Sequence, residues 1–346
     1  MLIHNKNIDN DNNEKVLSNV ILIPTIIPTI NINNNEKKYF SEILLITNTN
    51  NHFDFDLWIR WHLNYIKFDH IVVIDNSKES IVKNICAKHE KIKYIKLEQQ
   101  LSQSEIYNYY LNNSEAEWVL PIDDDEFLYL NNFVTIKNYI NYANSQNNKI
   151  KKLAFKNLFL FSEKLLETRD YTKNCFELFN CYCPDTNLLP YDNKITIKTI
   201  CNTLNDKYYY VIDEQKYNSI SYNDLENISN YDLGGTINLD AMGNIHNPLC
   251  KENDYYIPAI DPVNKQAYFG IYLNNNKIYD LNTCLLLHFK YKTKEEFLDK
   301  SKNNIFTDRS MRYYNECYSC NNLIKNYELN NYFIKTNKFL NIAKKI

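Results

Sequence analysis

Four carboxylates stand in a row at Asp123-Asp124-Asp125-Glu126, directly after the apolar run Trp118-Val119-Leu120-Pro121-Ile122. Adjacent carboxylates repel one another, and a divalent cation both relieves that cost and is drawn to it. On an extended backbone Asp123 and Asp125 point the same way and Asp124 the other. The pair suits a hard ion such as Mg²⁺ or Mn²⁺, which prefers oxygen ligands. The bland alternative is a solvated acidic turn, but the apolar lead-in and the following Phe127-Leu128 favour a constrained, buried one. Paired aspartates with such an ion serve phosphate chemistry in several enzyme classes. A haloacid-type phosphatase needs a D-x-D-x-T/V start, and Asp123-Asp124-Asp125-Glu126-Phe127 does not continue that way.

The elements that position this cluster alternate in kind. Short apolar runs at 42–47, 70–74, 92–97 and 118–122 read as buried strands. Between them the spacing predicts helices over 54–67, 81–89 and 104–112. Strand-helix-strand alternation implies a parallel sheet, with ligands beyond the carboxyl ends of its strands. Asp75 and the Asp123 cluster both fall at such ends. Further on, 153–161, 195–200 (one face exposed), 208–212 and 285–289 read as strands. Residues 213–240 read as a loop-rich insertion, and 294–302 and 323–346 as helical. The expected fold class is α/β, a Rossmann-like, mostly parallel sheet flanked by helices, with a helical C-terminal extension.

Composition narrows the classes. A net charge of −3 gives no reason to expect a nucleic-acid surface. With only 4 glycines, glycine-rich phosphate loops cannot be widespread. The heavy use of Asn reflects codon bias rather than function. Nine cysteines form no regular framework, and Cys317-x-x-Cys320 has no second pair at zinc spacing, so free thiols in a reducing, cytoplasmic setting are expected. The apolar stretch 16–30 is too short and too broken by Pro24 and Pro28 to span a membrane. Three regions follow: an Asn-rich arm over 1–38, a catalytic domain over 39–302, and the extension over 303–346.

Four segments, in order, resemble the glycosyltransferase family 92 and family 2-like group. Trp118 to Leu128 is similar to its W-hydrophobic-D-x-D-E-F-L segment. Trp58-Ile59-Arg60-Trp61-His62-Leu63, followed by Asp69-His70 and Asp75-Asn76-Ser77, is similar to its start. Ile245-His246-Asn247-Pro248 resembles its H-N-P element, and His288-Phe289 through Glu295-Glu296-Phe297 its H-Y-x-x-K-S-x-E-E-F element. Departures are Asn48-Thr49-Asn50-Asn51 in place of a Lys-Asn-Glu-type turn, Leu57 in place of a Glu, and Phe155 to Phe159 in place of a Gly-containing segment.

The resemblance implies a GT-A fold and metal-dependent, inverting transfer of a hexose from a nucleotide sugar, a UDP-sugar, to a glycan or protein acceptor. It implies Mn²⁺ or Mg²⁺ at Asp123 and Asp125, with His288 as third ligand and His246 as its rival. Asp75 and Asn48 would contact the nucleotide, and Lys292 would neutralise the leaving diphosphate. Asp125 would serve the chemistry directly. The acceptor base lies after the acidic motif, where Glu163, Glu167 and Asp170 are candidates and Glu167 is favoured. The rival expectations are a nucleotidyltransferase and a catalytically degraded, GT-A-like binding or scaffold protein.

Overall fold

The first two strands are buried along most of their length because both faces of the sheet are covered there, whereas the third, at the sheet edge, is interspersed with lysines and is half-buried. A computed structural model describes residues 37–47, 53–77, 82–98, 101–147, 150–162, 166–182, 196–206, 208–209, 232–233, 247–250, 257–268, 281–289, 293–296 and 334–346. Asn48, Lys292, His246, Glu163, Cys317 and the arm up to residue 36 lie outside them. Strands Tyr39–Thr47 (β1), His70–Asp75 (β2), Ile92–Lys96 (β3) and Ala116–Ile122 (β4) run parallel in the order β4-β1-β2-β3. Ile43, Leu45, Ile71 and Val73 pack on one side, in a core with Trp58, Trp61 and Phe68. Leu44, Val72 and Ile74 pack on the other, with Ile106, Tyr107 and Leu111.

The connecting helices supply those covers. Helix α1 (Phe55–Arg60) continues as a π-helical turn, Trp61–Ile66, and ends at Lys67 in the left-handed region, φ 65°. With so few glycines in the chain, a lysine takes that position at some conformational cost. Helix α2 (Lys83–Cys86) is shorter than the expected 81–89 among the described residues. Helix α3 (Gln103–Asn112) starts one residue before the predicted Ser104, because Ser102 and Glu105 form a capping box.

Beyond β4 the expectation of a mostly parallel sheet is corrected. The remaining elements are β5 (Glu126–Tyr129), α4 (Ile136–Gln146), β6 (Lys152–Phe159), α5 (Cys175–Leu178), β7 (Cys181–Tyr182) and β8 (Ile197–Asn202). There follow β9 (Tyr208–Tyr209), β10 (Asp232–Leu233), β11 (Leu249–Cys250), β12 (Ala259–Asp261), β13 (Gln266–Tyr268), β14 (Leu285–His288) and β15 (Ile334–Lys335). Strand β8 lies antiparallel between β4 and β6, and β14 lies antiparallel to β5 but parallel to β6. The fold is a mixed α/β one. Strand β8 was expected to expose one face, yet all but its last residue are buried, Lys198 and Thr199 included. The expected helix over 323–346 is also corrected. Its described part holds β15, paired with β7, and a helix of its own at Lys338–Ala343.

Chain geometry makes this sheet curl. Strands β4 and β5 are joined by three residues, but in the sheet they are separated by β8, β6 and β14. Four strand steps at about 4.8 Å would span about 19 Å in a flat sheet. The four peptide links from Ile122 to Glu126 reach at most about 14 Å. The sheet therefore bends into a half-barrel, and the acidic turn closes its rim.

Candidate active site

The acidic turn is gripped from several strands at once. Asp124 accepts a hydrogen bond from Thr47, the last residue of β1, at 3.0 Å. Asp123 accepts from Gln103 of α3 at 3.2 Å and from the Lys198 ammonium of β8 at 2.9 Å. Lys198 also lies 3.0 Å from the second oxygen of Glu126, which takes the Asp123 backbone N–H at 2.9 Å. Asp125 is buried, and its Oδ1 is 3.5 Å from His288 Nε2. The Phe289 N–H donates to the Asp125 carbonyl at 2.9 Å, which fixes the end of β14 to the turn.

Burial sets the electrostatics. Glu126 is wholly buried, and burial raises its pKa against the opposing pull of the Lys198 charge. Lys198 is also wholly buried. Burial alone would lower its pKa, but the charges of Asp123 and Glu126 overcome this and hold it above its ordinary value. At this turn two of the buried polar atoms without a hydrogen-bond partner, Glu126 Oε1 and His288 Nδ1, lie 3.7 Å apart.

Strand β5 presents Glu126 because its free edge is held by side chains. The Trp58 indole donates to the Glu126 carbonyl at 2.7 Å and the Trp61 indole to the Leu128 carbonyl at 2.6 Å. The Leu128 N–H donates to His62 Nε2 at 3.2 Å. His62 therefore carries its hydrogen on Nδ1, where it reaches the Trp58 carbonyl at 2.9 Å. Burial pushes its pKa down to about 3, so the ring stays neutral. The Trp-Ile-Arg-Trp-His pattern is thus a clamp on the strand that bears the acidic cluster.

The sequence-predicted residues separate into two groups. Asp123, Asp125 and His288 come together at the half-barrel rim. Asp123, an expected metal ligand, has its two carboxylate oxygens in contact with Gln103 and Lys198. Asp75 sits at the end of β2 with no exposed surface. One oxygen accepts from the Ser77 N–H at 2.9 Å and from the Ser77 hydroxyl, the other from Tyr94 at 2.8 Å with Lys96 at 3.4 Å. Burial works to raise its pKa, but those hydrogen bonds and the Lys96 charge outweigh it and hold the carboxyl below its ordinary value. Glu167 is half-exposed and ion-paired to Lys294 at 3.0 Å. Asp170 is half-exposed in a turn with Thr172 and Lys173.

Lys198, Thr47 and Gln103 are the site residues that sequence reasoning missed. The alternation around Lys198 marked a strand, but its partner Asp123 is 75 residues away, and nothing local announces the pairing. The Asn247-Pro248 part of the H-N-P element receives the buried Lys152 ammonium, at 2.9 Å to each of the Asn247 side chain and the Pro248 carbonyl. Glu296 of the last element receives Arg169 at 3.2 Å, and Arg169 also reaches Asp54 at 2.9 Å. Both elements therefore carry structural ion contacts. Among the described residues, no three His, Cys, Asp or Glu side chains are grouped as an ion cage.

No family model matches the chain, and no curated protein matches it. Among solved structures it is similar to a 4-diphosphocytidyl-2C-methyl-D-erythritol synthase from Anaerococcus prevotii. There the identity is 15% and the TM-score 0.26, over 48% of this chain and 72% of that one. It is also similar to TarS of S. aureus, at 13% identity and TM-score 0.30, covering 78% of this chain and 41% of TarS. At TM-scores this low, neither likeness decides the activity of this chain.

Proposed function

We propose that this chain transfers a hexose from a nucleotide sugar to an acceptor hydroxyl, with a divalent ion held at Asp125 and His288. The observation that carries this reading is the 3.5 Å approach of Asp125 Oδ1 to His288 Nε2, beside the carboxyl ends of the parallel strands. The carboxylate suits Mn²⁺ or Mg²⁺, and the imidazole adds a nitrogen ligand, which favours the transition ion of the two. Such ions are commonly held by one or two protein ligands plus waters and substrate phosphates, so a two-residue site fits without a third protein ligand. When bound, the ion withdraws charge from the diphosphate and makes it a better leaving group.

The chain's own residues have distinct parts in this reading. Lys198 offsets the charge of Asp123 and Glu126, which eases the repulsion within the acidic turn. Thr47 and Gln103 hold the turn so that Asp125 faces His288. Asn48 and Lys292 are proposed donor contacts on sequence grounds, Lys292 for the leaving diphosphate. Asp75 orders the neighbouring strand end. Glu167 is the proposed acceptor base, with a UDP-hexose as donor, a glycan or protein as acceptor, and inversion at the anomeric carbon.

A second reading, a GT-A-like binding protein without catalysis, is favoured by the commitment of Asp123 to Lys198. One experiment separates them. The full chain is incubated with a panel of sugar nucleotides and Mn²⁺, and nucleotide release is followed with and without acceptor sugars. Release from one donor, lost in Asp125→Ala, is the expected result. Donor binding without release from any member would favour the binding protein.

A further inference from the structure

The two unpartnered atoms at the rim belong to neighbouring side chains. Glu126 Oε2 is taken by Lys198 and by the Asp123 N–H, which fixes the carboxylate and turns Oε1 toward His288. Oε1 and His288 Nδ1 are both buried, both lack a hydrogen bond, and lie 3.7 Å apart. An approach of about 1 Å would make a charge-assisted hydrogen bond between them. Buried polar groups are seldom left unpaired, because an unmade bond costs the full desolvation of the group. A neutral imidazole has a single N–H to give. Glu126 is more deeply buried than Asp125, with no exposed surface against 4%. The carboxylate oxygen with the greater need of a donor is therefore Oε1.

We propose that Glu126 is a positioning residue: it holds the hydrogen of His288 on Nδ1 and so leaves the Nε2 lone pair facing Asp125. Histidines that ligate metals commonly give their other N–H to a carboxylate, which fixes both tautomer and ring orientation. The lone pair and the Asp125 oxygen then face each other at 3.5 Å with no hydrogen between them, an arrangement that suits a shared cation. Lys198 acts through Glu126 by holding its other oxygen.

This inference rests on the metal reading for its purpose but not for its test. The tautomer of His288 is read in the ion-free full chain by nitrogen-detected two-bond couplings on a histidine-labelled sample, at mildly alkaline pH. The resonance is assigned by its loss in His288→Gln. The expected result is hydrogen on Nδ1. Hydrogen on Nε2, or on both nitrogens, overturns the proposal in the unaltered protein, whatever any variant does. In Glu126→Gln the amide oxygen faces Lys198 and its NH₂ faces His288, so the hydrogen should move to Nε2 and Mn²⁺ affinity should fall about 10- to 100-fold. A folded Glu126→Gln that keeps the wild-type tautomer also overturns the proposal. If the tautomer responds as expected but the wild type binds no Mn²⁺, the positioning role stands and the transferase reading falls.

Discussion

Two strand ends on the same sheet carry aspartates, and they are built in opposite ways. At the end of β2, Asp75 finds its partners Ser77, Tyr94 and Lys96 on its own strand end and the neighbouring strand β3, and both its oxygens are engaged. At the end of β4, partners arrive from β1, α3, β8 and β14, and two buried atoms remain without hydrogen bonds. The Asp75 end is closed by its own neighbours, whereas at the β4 turn the unmet atoms are those of Glu126 and His288, which face each other at 3.7 Å.

The contrast can be broken most forcefully at the two lysines. Lys198→Met leaves Asp123 and Glu126 facing each other, Glu126 without its buried counter-charge, and should cost about 3–5 kcal/mol. Lys96→Met removes a 31%-exposed side chain from an aspartate that keeps Ser77 and Tyr94, and should cost no more than about 1 kcal/mol. Urea unfolding with unchanged m-values measures both, and equal losses would erase the distinction.

The clamp on β5 comes next. Trp58→Phe removes the indole N–H from the Glu126 carbonyl and leaves a buried acceptor unmet, for about 1–3 kcal/mol. The shift of the urea midpoint tests it, and a shift near zero would mean that the clamp is packing alone.

The Asp75 end should also show itself in acid. Its pKa is held below the ordinary value, so it binds fewer protons in the folded state than in the unfolded one. Its stabilisation is full above about pH 4 and is lost as pH falls through the depressed value. Asp75→Asn should therefore flatten the acid limb of the stability profile below that point, as followed by unfolding across a pH series.

The smallest effect is expected at Glu167. Its surface pair with Lys294 is worth at most about 1 kcal/mol, so Glu167→Gln should barely move the unfolding midpoint. If it is the acceptor base, the same variant loses sugar transfer while Mn²⁺ binding is unchanged. Retained transfer would remove it from that role.

Much of this was legible in the sequence because it was local. The four parallel strands, the acidic turn and the capped helix α3 follow from apolar runs and short-range spacing. Helix α4 was legible too, since Ile136, Tyr139, Ile140 and Ala143 fall on one face, but no helix was read there. What was not legible depends on tertiary pairing. Lys198 looks like a surface lysine on an alternating strand until β8 is placed antiparallel against β4. The antiparallel β5 and β14 are four and four residues long, too short for periodicity to give direction. His288 could be nominated from its pattern, but its two carboxylate neighbours were set by the curl of the sheet.

The central claim, that Asp125 and His288 together hold a divalent ion, has a direct test. The full chain is titrated calorimetrically with Mn²⁺ in the presence of UDP, alongside Asp125→Ala, His288→Ala and Asp75→Asn. The account predicts that the first two variants each weaken Mn²⁺ binding by more than about a hundredfold, beyond the usual cost of losing an outer-shell partner, and that Asp75→Asn binds as the wild type does. Wild-type Mn²⁺ affinity in both Asp125→Ala and His288→Ala would contradict it.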